Sequence, residues 1–378
     1  MNDRAAVLEQ FRAFAAAPEP DLWEGALLVA RLVDPQEDLE LARSEIDRLA
    51  ARVRAAQTAL RHEALVRVLF EEEEFRGDAE GYDDPANSSV VRVLAKKSGM
   101  PITLSIVAIE VGRRAGLRLS GVGLPGHFVI GGTDLPEGKF LDPFDGGKLT
   151  DTDGLMLRVS AIFGSPITLP PEAFAPDSPR AILMRVLFNL RRSWERRDHF
   201  EEALSALACA ETLAPGDPSF LRERGLLMLR AGRSSEALAA LEEYVSVSAG
   251  EDAEAVAKLI AIVREGTGFS EGPEAATPPK KIFTLGEARE LLPQVQQITS
   301  EAVFRYARLG EGTETEEERQ GIVRAWVRDV VTLGAEIKGL WLVDFDSGAG
   351  YYCWKYPEPA LEYFHGYEEG FAGRLPLQ

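Results

Sequence analysis

Cysteine is nearly absent from this chain: Cys209 and Cys353 are the two thiols among 378 residues. Two thiols so far apart suggest neither a disulfide framework nor a thiolate metal cluster. Histidine is almost as scarce, with four copies at His62, His127, His199 and His365. Basic charge is in deficit, 42 Lys and Arg against 61 Asp and Glu, for a formal net charge of −19. A field of that sign repels phosphate backbones and anionic lipid, so neither a nucleic-acid nor a membrane partner is expected. No run approaches the roughly 18 apolar residues of a membrane span. The opening segment MNDRAAVLEQFRAFAAAPEP carries charges where a secretion signal needs an apolar core. A cytoplasmic protein without a cofactor is expected. Hydrophobic residues are plentiful, at 45%, which supports a globular chain with more than one core.

Apolar residues at helical spacing dominate residues 1–70. The stretch DLWEGALLVARLV has Asp21 as its N-cap, and EDLELARSEIDRLAARVRAAQTALRHEALVRVLFEEEEF reads as two helices. Its acidic run Glu71 to Glu74 reads as a solvated helix end, because like charges at that density repel. The loop RGDAEGYDDPANSS follows, with Asn87 or Ser88 as the cap of a short helix that stops at Gly99. In GMPITLSIVAIEVGRRAG, Pro101 suits a first helical turn and Gly116 a C-cap. The apolar run from Ile102 to Ile109 makes this a central, buried helix. Short strand-like pieces come next, LRLSGVGL, HFVIGG and KFLDPF, so the region reads as an α+β unit.

Residues 180–262 are helical and repeat. Glu202-Ala203-Leu204 recurs as Glu236-Ala237-Leu238, and Ala206-Leu207 as Ala240-Leu241, at an offset of 34 residues. That is the tetratricopeptide period. REGTGFSEGPEAATPPKK reads as a linker. Beyond it, Thr284 and Glu287 form a capping box, Pro293 predicts a kink or break, and Asp346-Ser347-Gly348 marks a hairpin. The expected division is 1–175 for N-terminal helices and the α+β core, 176–263 for the repeats, 264–281 for the linker, and 282–378 for a small domain of a helical pair plus β-hairpin.

His127 stands at the mouth of the apolar strand in LPGHFVI, and Asp142 ends the strand KFLDPF fifteen residues later. Two short strands joined by a turn would set them side by side, and a carboxylate there would fix the imidazole tautomer. Alone, each also reads as structural: a half-buried histidine, and a strand-end Asp before Pro143. A buried helix, a strand with His and a strand with Asp resemble the transglutaminase-like, papain-like core. There a Cys at the helix N-terminus is the nucleophile, activated by the helix dipole and the His. Counting fifteen residues back from Gly116 puts Pro101 in the cysteine position. Ser105, one turn further in, is the candidate hydroxyl nucleophile beside Thr103, and it also reads as a core serine bonded back to a carbonyl. A metal site of His127, Asp142 and Asp145 is the least specific alternative.

The motifs GMPITLS, GLPGHF and DPFDGG, taken together, resemble the SirB-like family of bacterial proteins over about residues 20–250. That family joins a transglutaminase-like domain to tetratricopeptide repeats. The resemblance implies that the catalytic His and Asp positions map onto His127 and Asp142, and the nucleophile position onto Pro101. Its members commonly share that departure, which argues against thiol chemistry. FTLGEARELLP, GLWLVDFDS and YYCWKYPEPALEYFHGYEEGFAGRLPL are similar to a small bacterial domain of unknown function. There Cys353, His365 and Glu362 could be metal ligands, but their spacing is loose. The bland expectation is aromatic packing without metal, by Trp341, Phe345, Tyr352, Trp354, Tyr363, Phe364 and Phe371. The function expected is a degenerate transglutaminase-like protein that binds a protein or peptide through its repeats. The alternative is a hydrolase or acyl-transfer enzyme using the His127–Asp142 pair with Ser105 or an activated water.

Overall fold

The computed structural model describes residues 3–164, 166–266, 281–307, 313–367 and 373–377. The chain forms two compact units, Met1–Val159 with Thr168–Asp217, and Ser160–Ile167 with Pro218–Gln378. The linker expected over 264–281 lies almost wholly outside the described residues. Helical and sheet segments are both present, and the α+β class expected from the sequence holds. Among the described residues no helix is long and apolar enough to cross a membrane.

In the first unit, Asp21 caps the helix Leu22–Val33 by accepting from the Glu24 N–H at 3.0 Å. The helix Leu39–Ala55 follows, and then Arg61–Val66 continues into a π-helical turn, Arg67–Glu72. The cap of Val90–Lys96 is Ser89, one residue beyond the two candidates, because Asn87 and Ser88 are used in the 3-10 turn Pro85–Ser88. The central helix Pro101–Ala115 runs between the two predicted signals, with Pro101 at its start and Gly116 left-handed at φ +87°. Its side chains are buried almost throughout. It packs on one side against Leu39–Ala55 and on the other against the sheet.

That sheet is an antiparallel meander of Leu119–Leu124, His127–Gly132, Phe140–Asp142 and Lys148–Thr150. Leu124 pairs with His127 across the two-residue turn Pro125-Gly126, where Gly126 supplies φ +67°. The helices Pro179–Glu195 and Phe200–Leu213 pair within the same unit.

The second unit begins its helices with the pair Ser219–Arg230 and Ser234–Val247, followed by Glu251–Gly266. Leu241, Tyr244, Ala253, Val256 and Ile260 form their core. Ala203 and Ala237, the repeated small residues, are each fully buried in their own helix pair. Gly225 lies tight against the second helix of this pair: a Cβ there would lie 2.5 Å from Leu241 Cγ. Gly225→Ala is therefore expected to destabilise that pair by about 1–3 kcal/mol through overpacking, read as faster hydrogen exchange over 219–247.

Thr284 and Glu287 form the expected capping box, with Thr284 Oγ1 accepting from the Glu287 N–H at 3.2 Å and Glu287 accepting from the Thr284 N–H at 2.8 Å. The helix Leu285–Ala307 continues through Pro293, so the break that was one of the two expected outcomes does not occur. Pro293 removes one N–H, and the tertiary packing of Leu292 and Val295, both buried, retains the helical path. The predicted hairpin is Leu342–Asp346 with Tyr351–Lys355. It is the centre of a five-stranded antiparallel sheet that adds Glu336–Gly339, Tyr363–His365 and Leu375–Pro376.

Candidate functional site

The meander itself brings His127 and Asp142 together. Ile130 pairs with Leu141, and continuing that register sets Asp142 opposite Val129, diagonal to His127 on the same face. His127 Nε2 and Asp142 Oδ2 are 2.7 Å apart, and both residues are 3% exposed. Asp142 Oδ1 accepts the backbone N–H of Phe144 at 3.0 Å and of Asp145 at 3.2 Å. This is the turn-starting role of an Asp before proline, and the same carboxylate also faces His127. Arg158, from the helix Thr152–Phe163, stands 3.5 Å from Oδ2. Burial alone would raise the Asp142 carboxyl. The hydrogen bond from His127, the His127 and Arg158 charges and the Asp145 N–H outweigh it and hold the group below the usual carboxylate range.

An ionised Asp142 accepts from Nε2–H, so in neutral His127 the lone pair is on Nδ1. Nδ1 has no hydrogen-bond partner among the described residues, and it is not among the polar atoms sealed from solvent. The strand is fastened from behind by Arg185, whose Nη2 donates to the carbonyls of Leu124 and, at 2.9 Å, His127. Phe144 stands edge-on to His127 with centroids 6.4 Å apart, and Tyr82 packs edge-on to Phe144 at 6.2 Å. A Cβ on Gly77 would lie 2.5 Å from the Phe144 ring. Gly77→Ala should therefore push Phe144 against His127, at a cost of about 1–3 kcal/mol. The check is a shift of the His127 ring signals in the NMR spectrum alongside the loss of stability.

The other candidates are placed differently. Pro101 is the first residue of the central helix. Ser105 is fully buried, and its Oγ donates to the Pro101 carbonyl at 2.8 Å; it makes no hydrogen bond to His127. Thr103 Oγ1 donates to the Asn87 carbonyl at 2.8 Å. Asp145 directs its carboxylate to Lys148 at 3.1 Å. Cys209 is buried, and burial pushes its thiol up to about 12. Arg158, Arg185 and Phe144 were not singled out from the sequence. Arg158 and Arg185 reach the site from helices after the sheet, and no local pattern marks them.

Among the described residues, the Asp, Glu, Cys and His donors that could hold a metal are grouped at Asp344, Cys353 and His365 in the second unit. Glu362, named with Cys353 and His365 from the sequence, is exposed and outside that group.

Three family descriptions match different parts of the chain. The family described as transglutaminase-like superfamily matches residues 40–188, and tetratricopeptide repeat matches 190–261. An uncharacterized conserved protein family, DUF2203, matches 305–377. A UPF0162 protein of Xylella fastidiosa is 32% identical over 235 residues, covering 60% of this chain and 83% of the relative. A UPF0162 protein of Vibrio cholerae is 29% identical over 216 residues, covering 55% and 78%. F-box only protein 21 of Mus musculus is 32% identical over 83 residues, covering 22% of this chain and 13% of the relative. No solved structure matches.

Proposed function

The chain belongs to the UPF0162 protein family, and from that premise we propose that it is a non-catalytic, degenerate transglutaminase-like protein that binds a protein or peptide through its helical repeats. The observation that carries this reading is the Ser105 hydrogen bond to the Pro101 carbonyl. The helix start offers a proline where a thiol would stand, and the hydroxyls of Thr103 and Ser105 are both committed to backbone carbonyls. His127 and Asp142 then form an inherited pair with no nucleophile to activate. The SirB-like assignment, the division at 1–175, 176–263 and 282–378, and a cytoplasmic location belong to the same proposal. The match to tetratricopeptide repeats over 190–261 supports a peptide-binding surface.

Affinity purification of the full chain with chemical cross-linking tests the partner. Specific partners should cross-link within 190–261. Partners that cross-link only elsewhere, or none above background, would overturn the reading.

One observation favours a second reading. The unpartnered Nδ1 of His127, with Asp142 fixed on Nε2, is arranged as a general base for a water molecule. On that reading His127→Gln abolishes hydrolysis of an ester or amide while Ser105→Ala leaves it intact.

A further inference from the structure

The second face of the C-terminal sheet is buried but polar. Val343, Phe345, Tyr352, Trp354 and Phe364 alternate onto the apolar face. Strand periodicity puts Asp344, Cys353 and His365 on the other. Asp344 pairs directly with Cys353, and Cys353 pairs with Tyr363, two residues from His365. Three adjacent strands thus deliver one carboxylate, one thiol and one imidazole to a single point. Their donor atoms all lie within 4.8 Å of one another. Asp344 and Cys353 are fully buried and His365 is 4% exposed.

Two details say what this point is for. His365 Nδ1 lies 2.8 Å from the Gly366 carbonyl, which can only accept, so the proton is on Nδ1. In the neutral ring the lone pair is then on Nε2, which faces Asp344 Oδ2 at 3.1 Å. A lone pair aimed at a carboxylate is repulsive unless a cation or a proton lies between them. The Nδ1–H to backbone carbonyl bond is also the usual orienting contact of a metal-ligating histidine. Second, Asp344 Oδ1 is buried with no hydrogen-bond partner. The Lys338 charge acts on this carboxylate, but a buried oxygen without a hydrogen bond still leaves a position that a cation can occupy.

A Cys-His-Asp catalytic triad is ruled out by the same geometry. A triad needs acid and nucleophile on opposite ring nitrogens. Here Nδ1 is committed to Gly366, so Asp344 and Cys353 would compete for Nε2.

We propose that Asp344, Cys353 and His365 bind a divalent zinc ion, which clasps the three central strands of the C-terminal sheet. The mixed S, N and O donor set suits zinc, which holds such ligands at about 2.0–2.3 Å, with tetrahedral donors about 3.5 Å apart. Three protein ligands leave a fourth position for water. Binding displaces the thiol proton and ties the strands together, so the ion stabilises the folded domain.

The test uses the full chain, stripped with chelator, reloaded with zinc chloride and passed through a desalting column. The expected result is one zinc per chain by elemental analysis, with a Tm rise of about 5 °C. Cobalt chloride in place of zinc should give the thiolate-to-cobalt charge-transfer absorption. Cys353→Ser and His365→Ala should each lower retained zinc at least tenfold, while Glu362→Ala and His127→Ala retain it. Should the first two variants fail to fold, the wild-type stoichiometry and cobalt spectrum decide alone. Wild-type chain that retains no zinc and shows no cobalt–thiolate absorption overturns the proposal. So does zinc retained equally by folded Cys353→Ser and His365→Ala.

Discussion

Replacing Asp142 by alanine is expected to destabilise the first unit by about 3–5 kcal/mol, the cost of breaking a buried, hydrogen-bonded charge pair. The carboxylate is the acceptor for His127 Nε2–H and for the N–H groups of Phe144 and Asp145. Removing it leaves those donors without their acceptor, and the buried Nε2–H gains nothing in its place. Hydrogen exchange followed by mass spectrometry should place the loss in peptides spanning 119–150. Asp142→Asn should cost less, because an amide oxygen can still accept from the turn. Its NH2 would then face Nε2 and force the proton onto Nδ1, a tautomer change that nitrogen-15 NMR of the ring reads directly. The pH dependence has a definite sign. The folded-state pKa of Asp142 is lowered, so its contribution is fully present above the unfolded value of about 3.9 and is lost as pH falls through the folded value.

Glu73→Ala should cost about 3 kcal/mol, the low end of the range for a broken buried pair, because its cationic partners are partly exposed. Glu73 is 7% exposed and holds Arg48 at 2.7 Å, together with Arg52 and Lys97. Its loss leaves three cations facing one another. Burial would raise this carboxyl, but the hydrogen bonds from Lys97 and Arg48 and their charges hold it low. Its stabilisation is therefore present above about pH 4.3 and lost in acid as the folded-state pKa is crossed. Urea unfolding at neutral pH should show the difference between wild type and variant, and near pH 3 that difference should shrink. Glu73→Gln, which keeps the shape and loses the charge, should fall between the two.

Glu73 also shows where sequence reading stops. The run Glu71 to Glu74 reads as a solvated helix end, and Glu71, Glu72 and Glu74 are indeed exposed. The partners that make Glu73 different stand 21 to 25 residues away. Nothing local distinguishes it from its neighbours. Local signals were reliable where the physics is local. Pro101 and Gly116 bracket the central helix, Thr284 and Glu287 cap theirs, and the glycine-turn hairpin fixes where His127 begins its strand. The proximity of His127 and Asp142 followed from strand length and turn length alone. Arg158, Arg185 and Asp344 did not, since each depends on a tertiary juxtaposition. The outer strands of the C-terminal sheet are two to four residues long, too short for a period-2 pattern to emerge.

The proposed function requires that His127 and Asp142 have no nucleophile to activate. The most direct measurement incubates the purified full chain with activated ester and amide substrates, then records intact mass and product release beside His127→Gln and Ser105→Ala. The account predicts no acyl adduct and the same background hydrolysis in all three proteins. An acyl adduct on Ser105, or turnover that disappears in His127→Gln, would contradict it.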